Sequence, residues 1–232
     1  ITRLLASYNK ISQIEKQELN FLNEIQLDYN EITCFPTEIE HREAKKIYLS
    51  HNKIKEVNSS SFIINNNLTV IDLSFNQIET IPKDIFECHP CLQSFSVHFN
   101  KITAIPSEIS FCQNLLILNI SHNPIKKLPK LPRSLALFFA SNCLLESFGM
   151  NSFVEATSES DDFFQLIHVD LSCNEIESFM ILPSIQNLNL SHNKIKRIPI
   201  ITENVKILDL SMNQIESDSF NISCPSLVEI NL

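Results

Sequence analysis

Residues 68–78 read LTVIDLSFNQI, with apolar side chains at Leu68, Ile71, Leu73 and Ile78 and an amide at Asn76. The same phrase returns as IQLDYNEI (25–32), IYLSHNKI (47–54), LNISHNPI (118–125), VDLSCNEI (169–176), LNLSHNKI (188–195) and LDLSMNQI (208–215). Its asparagines are Asn30, Asn52, Asn76, Asn123, Asn174, Asn193 and Asn213. Asn9 and Asn100 keep the frame, and Cys143 takes the equivalent place in one copy. Successive copies lie 19 to 24 residues apart, except for the 31 between Cys143 and Asn174. An eleventh copy opens at Leu227, Ile230 and Leu232. A fixed period of this length marks a stacked array, in which no unit buries its apolar face alone.

The alternating apolar pair of each copy, such as Leu188 and Leu190, predicts a short strand with one buried face. Stacked copies then align these strands into a continuous parallel sheet. The asparagine follows where the chain turns away, and its amide can donate to and accept from the backbone groups that the turn exposes. A cysteine at that place keeps only a weak S–H donor. Up to about residue 115 the return segments carry an x-Pro step and a polar-apolar stretch, as in NQIETIPKDIF, which predicts one short helical turn. From residue 123 they shorten to forms such as NPIKKLPKLPRSL, whose L-P-x-L-P spacing predicts extended, polyproline-like backbone.

The pattern L-x-x-L-x-L-x-x-N-x-I resembles the leucine-rich repeat family over essentially the whole chain, with units of 22–24 residues followed by units of about 20, the class familiar from bacterial effectors. The resemblance implies an α/β solenoid: a right-handed horseshoe with a parallel sheet of about eleven strands on its concave side and short helical or extended segments on its convex side. Residues 1–232 are expected to form one such domain. Ile1 lies inside a repeat and Leu232 inside a strand, so neither is expected to be a native domain end. The long interval places an acidic, serine-rich insertion at 151–162, expected as a loop or an extra helical turn on the outer face, or alternatively as a binding loop.

Composition excludes several chemistries. The 232 residues hold one glycine, Gly149, where about 16 is average. Phosphate-cradling loops and the nucleophile elbow each need more than one. With 27 acidic against 18 basic residues, a formal charge of −9 and a pI near 5.2, the chain lacks the basic face that nucleic acid requires. No apolar run approaches the ~18 residues of a membrane span. The odd, scattered set Cys34, Cys88, Cys91, Cys112, Cys143, Cys173 and Cys224 is read as reduced thiols, hence a cytoplasmic setting. Cys88 and Cys91 have the spacing of half a zinc site, but no second half exists. Near-common spacing before Leu92, Leu115 and Leu227 instead puts Cys88, Cys112 and Cys224 along the outer side of the core. His51, His122 and His192 recur three repeats apart, ~14 Å at strand spacing, too far for a shared metal. Asp72, Asp170 and Asp209 are separated in the same way. No catalytic residue, metal or cofactor is therefore expected.

The sheet's solvent face remains. The residue before each asparagine runs Tyr8, Tyr29, His51, Phe75, Phe99 and His122, and the residue between the apolar pair includes Tyr48, Asp72 and Phe139. Asp72 and its equivalents belong to the repeat consensus. Exposed aromatic rows supply interface anchors. The expected partner-binding residues are Tyr8, Tyr29, Tyr48, His51, Asp72, Phe75, His98, Phe99, His122 and Phe139. Glu24, Asp28 and Asp72 outnumber Arg3 and Lys46 there, so a basic protein segment is the expected partner, held by a monomer or by part of a larger chain. The predicted function is a non-catalytic protein-interaction scaffold without nucleic-acid or membrane binding. Two other functions fit the repeat: the regulatory region of a larger signalling enzyme (a phosphatase, GTPase–kinase or cyclase), or an extracellular receptor fragment, for which sequons at Asn58, Asn67, Asn119, Asn189 and Asn221 speak. Because these rings point away from the core, Tyr48→Ala with Phe75→Ala is expected to leave the melting temperature nearly unchanged.

Overall fold

Every copy of the phrase becomes one rung. The computed structural model describes residues 1–14, 21–35, 43–58, 67–155, 164–216 and 224–232. Its strands are three residues long: β1 Arg3–Leu5, β2 Glu24–Gln26, β3 Lys46–Tyr48, β4 Val70–Asp72, β5 Ser94–Ser96, β6 Ile117–Asn119, β7 Leu137–Phe139, β8 His168–Asp170, β9 Asn187–Asn189, β10 Ile207–Asp209 and β11 Glu229–Asn231. They form one 11-stranded sheet in sequence order, each strand parallel to the next. The register aligns the central apolar residues, as in Ile47 with Ile71 and Leu118 with Phe138. From β2 to β10 that central residue is buried while its neighbours stay half-buried or exposed, as a period of two requires. The second apolar residue of each phrase (Leu27, Leu49, Leu73, Leu190) and the one after the asparagine (Ile32, Ile54, Ile78, Ile195) fill the next layers of a single continuous core.

The asparagines tie rung to rung. Asn52 Nδ2 donates to the Leu49 and Ser50 carbonyls of its own turn, both at 3.1 Å, and to Leu27 O of the preceding rung at 2.9 Å. Its Oδ1 accepts the Ile32 N–H at 3.0 Å. Asn30, Asn76, Asn123, Asn174, Asn193 and Asn213 repeat this arrangement. Cys143 breaks it. Its thiol reaches Ile120 O at 3.5 Å and Ser141 O at 3.7 Å, but the Ile125 N–H that an asparagine oxygen would accept turns back to Asn123 O at 2.8 Å.

The return segments follow their sequences. Helix α1 (Asp84–Glu87) and a 3-10 turn (Ser107–Phe111) begin just after Pro82 and Pro106, and they pack side by side. Among the described residues, the later units hold only a 3-10 turn at Met150–Ser152. Two expectations need correction. Most of the 151–162 insertion lies outside the described residues; its start takes the expected helical turn at Met150–Ser152, but the chain then turns inward instead of staying on the outer face. Phe153 is 2% exposed, bridges to Leu131, and packs edge-on to Phe148 and Phe164 at 5.6 and 5.0 Å. Cys112 and Cys224 do lie three residues before the inner leucine, with their thiols on carbonyls of the preceding rung, but the equivalent place in the other unit belongs to His89. His89 is fully buried, while Cys88 sits half-buried beside it. Cys88 stands four residues before Leu92 rather than three, which leaves the inward place to His89.

Candidate partner-binding surface

After each strand come one inward apolar residue, one small or polar residue, and then a residue with φ between 50 and 60°: Tyr8, Tyr29, His51, Phe75, Phe99, His122, Asn142, Cys173, His192 and Met212. His51, His122, His192 and Asn142 belong to the non-glycine types enriched in this left-handed region, whereas the tyrosines, phenylalanines, Cys173 and Met212 are strained by on the order of 1 kcal/mol each. The next rung holds them. Tyr29 N donates to Ser50 O at 2.9 Å and Phe75 N to His98 O at 2.9 Å, and the same link runs from Tyr8 to His192.

The turn throws each side chain to the sheet edge, where neighbouring rungs are ~4.8 Å apart. That spacing suits stacked rings. The centroid distances are 4.3 Å from Tyr8 to Tyr29, 4.1 Å to His51, 4.0 Å to Phe75, 4.4 Å to Phe99 and 3.8 Å to His122, with interplanar angles of 9 to 15°. Six of the ten expected residues thus form one unbroken column. Each interior ring has both faces covered by its neighbours and shows mainly its edge to solvent. Phe75 thus contacts the rungs on both sides, which argues against the expectation that its loss leaves the melting temperature unchanged.

His98 stands beside the column, edge-on to Phe75 at 5.0 Å and to Phe99 at 5.7 Å. Its Nδ1 shares a 2.8 Å hydrogen bond with Ser96 Oγ. Burial pushes its pKa below the usual histidine value, opposed by Asp72 and reinforced by His122 and His51. Asp72 is engaged internally, its Oδ1 accepting from Ser74 N at 2.9 Å and Ser74 Oγ at 2.6 Å. Asp170 with Ser172 and Asp209 with Ser211 repeat the pair. Tyr48 lies on the middle row, its phenol pKa raised by burial first and then by Glu24, Asp72 and Asp28. Phe139 stands apart, tilted against His168 at 5.4 Å.

Charge divides across the column. On the sheet side stand Glu24, Asp28 and Asp72 with Arg3 and Lys46 in the first four rungs, Arg3 paired to Glu24 at 2.7 Å, and Asp170 and Asp209 lie far along the sheet in β8 and β10. On the flank beyond the column stand Lys53, Lys101, Lys126, Lys127 and Lys194, of which Lys53 and Lys194 pair with Glu31 and Glu175 at 2.9 and 3.1 Å. Among the described residues, no three His, Cys, Asp or Glu side chains gather as metal ligands, and no helix is long and apolar enough to cross a membrane. Sequence reasoning found the row but not the stack. Its signal was present: the run from Tyr8 to His122 is unbroken, and one rung is nearly one stacking distance.

An array of parallel rungs with a side-chain ladder along one sheet edge defines a repeat solenoid of the leucine-rich repeat kind. The chain carries leucine-rich repeats in its sequence as well. Residues 42–102 and 111–127 match the family's sequence profiles. Keratocan of Bos taurus is 26% identical over 225 residues, covering 94% of this chain and 57% of the relative. Lumican of Gallus gallus is 28% identical over 218 residues, covering 89% and 54%. The chain thus spans a little over half the length of these curated relatives. Among solved structures, the functional domain of InlJ from Listeria monocytogenes aligns with all of this chain and 53% of its own at a TM-score of 0.74 and 16% identity. These relatives overturn one expectation. Keratocan and lumican are secreted proteins of the extracellular matrix, so the cytoplasmic placement drawn from scattered cysteines is corrected. All seven cysteines are free in the fold; buried thiols pack as small apolar groups in any compartment and do not report one.

Proposed function

We propose that this chain is a non-catalytic protein-binding module that works outside the cell and holds its partner on the concave face of its first six rungs. The observation that carries this reading is the ring column from Tyr8 to His122 beside an acidic sheet face. Leucine-rich repeat proteins generally bind protein partners, and an extended concave surface is what repeat solenoids offer them. Ring edges, Tyr48 and the exposed face of Tyr8 supply rigid contact area of the kind found at interface anchors. Within these rungs Glu24, Asp28 and Asp72 outnumber Arg3 and Lys46, which favours a basic segment, and their main effect falls on association rate and its salt dependence. The test uses a partner isolated from extracellular fluid with the immobilised chain. Gln26→Arg with Ser94→Arg, on the concave rows, is expected to weaken binding at least tenfold, whereas Thr103→Arg on the loop flank leaves it unchanged. The opposite ranking moves the site off the sheet.

A further inference from the structure

The ring column ends abruptly. His122 has one face against Phe99 at 3.8 Å, and the next rung offers Asn142, which has no ring. An open cavity of about 350 Å³ lies at this place, lined by His122, Asn123, Pro124, Asn142 and Leu144. Pro124 and Leu144 are exposed apolar side chains, and Leu144 occupies in its rung the place that Pro124 holds in the one before. Five successive spacings of 3.8 to 4.4 Å set where a seventh ring would stand, and the cavity opens there.

We propose that this cavity is a binding site for an aromatic side chain of the partner protein, which stacks on His122 and extends the column by one ring. The site rests on the protein-binding reading above and adds the chemistry of one anchor. The flank beside it carries three lysines against one carboxylate, Glu146, which holds in the next rung the place of Lys126. Lys101 stands one rung before Pro124 in the same register, and Lys126 and Lys127 follow it after the buried Ile125. All three are exposed, and no described carboxylate pairs with them. The aromatic residue is therefore one with acidic neighbours, a tyrosine or phenylalanine between aspartates or glutamates. One stacked ring is a small anchor, so a short peptide binds weakly and the partner's wider contacts supply the rest.

The experiment titrates the chain with the capped peptide Asp-Tyr-Glu while the histidine ring protons are followed by NMR. His192 occupies the same repeat position without aromatic neighbours, between Cys173 and Met212, and is the internal control. The expected result is an upfield ring-current shift at His122 that saturates, no shift at His192, and none at either with Asp-Leu-Glu. Asn142→His, a residue this position accepts in three other rungs, should fill the site and weaken the peptide at least fivefold. Lys126→Glu with Lys127→Glu should weaken it at least threefold. Equal shifts at His192, equal response to the leucine peptide, or indifference to Asn142→His overturns the proposal. Failure here is separable from failure of the wider reading. A whole partner lost on Gln26→Arg with Ser94→Arg but indifferent to Asn142→His leaves the concave face standing and removes this site alone.

Discussion

Cys143 is the one complete rung's departure from asparagine, and it shows what that amide does. Elsewhere the side chain satisfies three carbonyls and one N–H; here two carbonyls receive long thiol contacts, and the Ile125 N–H folds back on its own turn. Cys143→Asn should restore the rung link and stabilise the chain by about 1–2 kcal/mol, read as a higher urea midpoint. Asn174→Ala, which strands the Ala140 and Leu171 carbonyls and the Leu145 N–H, should cost about 2–4 kcal/mol in the same measurement. An unchanged midpoint for both would mean that water or a shifted backbone replaces the amide. The thiols carry a second expectation. Burial pushes Cys112 up to about 12, and Cys143 up to about 11 with nearby backbone amides offsetting part of the shift. Alkylation requires thiolate and access. In native reduced protein at pH 8, mass spectrometry should find the exposed Cys34 and Cys91 modified while Cys112 and Cys143 remain intact.

The ring column is an element in its own right, made from one residue per rung. Phe75→Ala removes two stacked contacts and one edge contact, each worth about 0.5–1.5 kcal/mol, so it should destabilise by about 1.5–4.5 kcal/mol and lower the melting temperature by several degrees. Tyr48→Ala, outside the column, should cost much less. Equal effects would show that the stack holds nothing. His98 beside the column gives a pH signature. Its folded pKa lies below the ordinary 6.5, so the unfolded chain takes up the proton first. Stability is then level above about pH 6.5 and falls as the pH drops through the interval below it. His98→Ser, the residue at the matching place in the preceding rung, should flatten that part of the curve, as followed by melting temperature between pH 5 and 7. The strands were readable to the residue, because a period of two inside a fixed repeat leaves no freedom of register. The helical turns were readable from x-Pro steps. The stack was not, because reading Phe75 as outward-facing treats each rung alone, whereas its partners His51 and Phe99 lie 24 residues away on either side in sequence. His89 was legible but passed over: Cys88 stands four residues before Leu92 where Cys112 and Cys224 stand three before theirs, and that difference of one puts His89 in the buried place.

At the scale of the whole molecule, three ties bind rung to rung: strand pairing, the asparagine ladder and the ring column. Strand pairing is continuous from β1 to β11. The other two fail at one junction, between the rungs of β6 and β7, where Asn142 replaces a ring and Cys143 replaces an amide. The following interval is also the longest in the chain. Repeat arrays are stabilised by each unit and each nearest-neighbour contact in turn, so one weak contact divides them where a globular domain would unfold as a whole. Residues 1–123 should therefore behave as one cooperative block and residues 143–232 as another, the first held by two ladders and the second by one. Amide exchange in low urea should show two plateaus of protection that meet at this junction, with the Ile125 amide exchanging faster than its equivalents at Ile102 and Ile176, whose N–H groups are fixed by Asn123 and Asn193 at 2.9 and 3.0 Å. Cys143→Asn combined with Asn142→His supplies both missing ties and should merge the plateaus. A single exchange free energy across all rungs in the unaltered chain would show instead that strand pairing and the shared core, through Leu118 and Phe138, already couple the two halves fully.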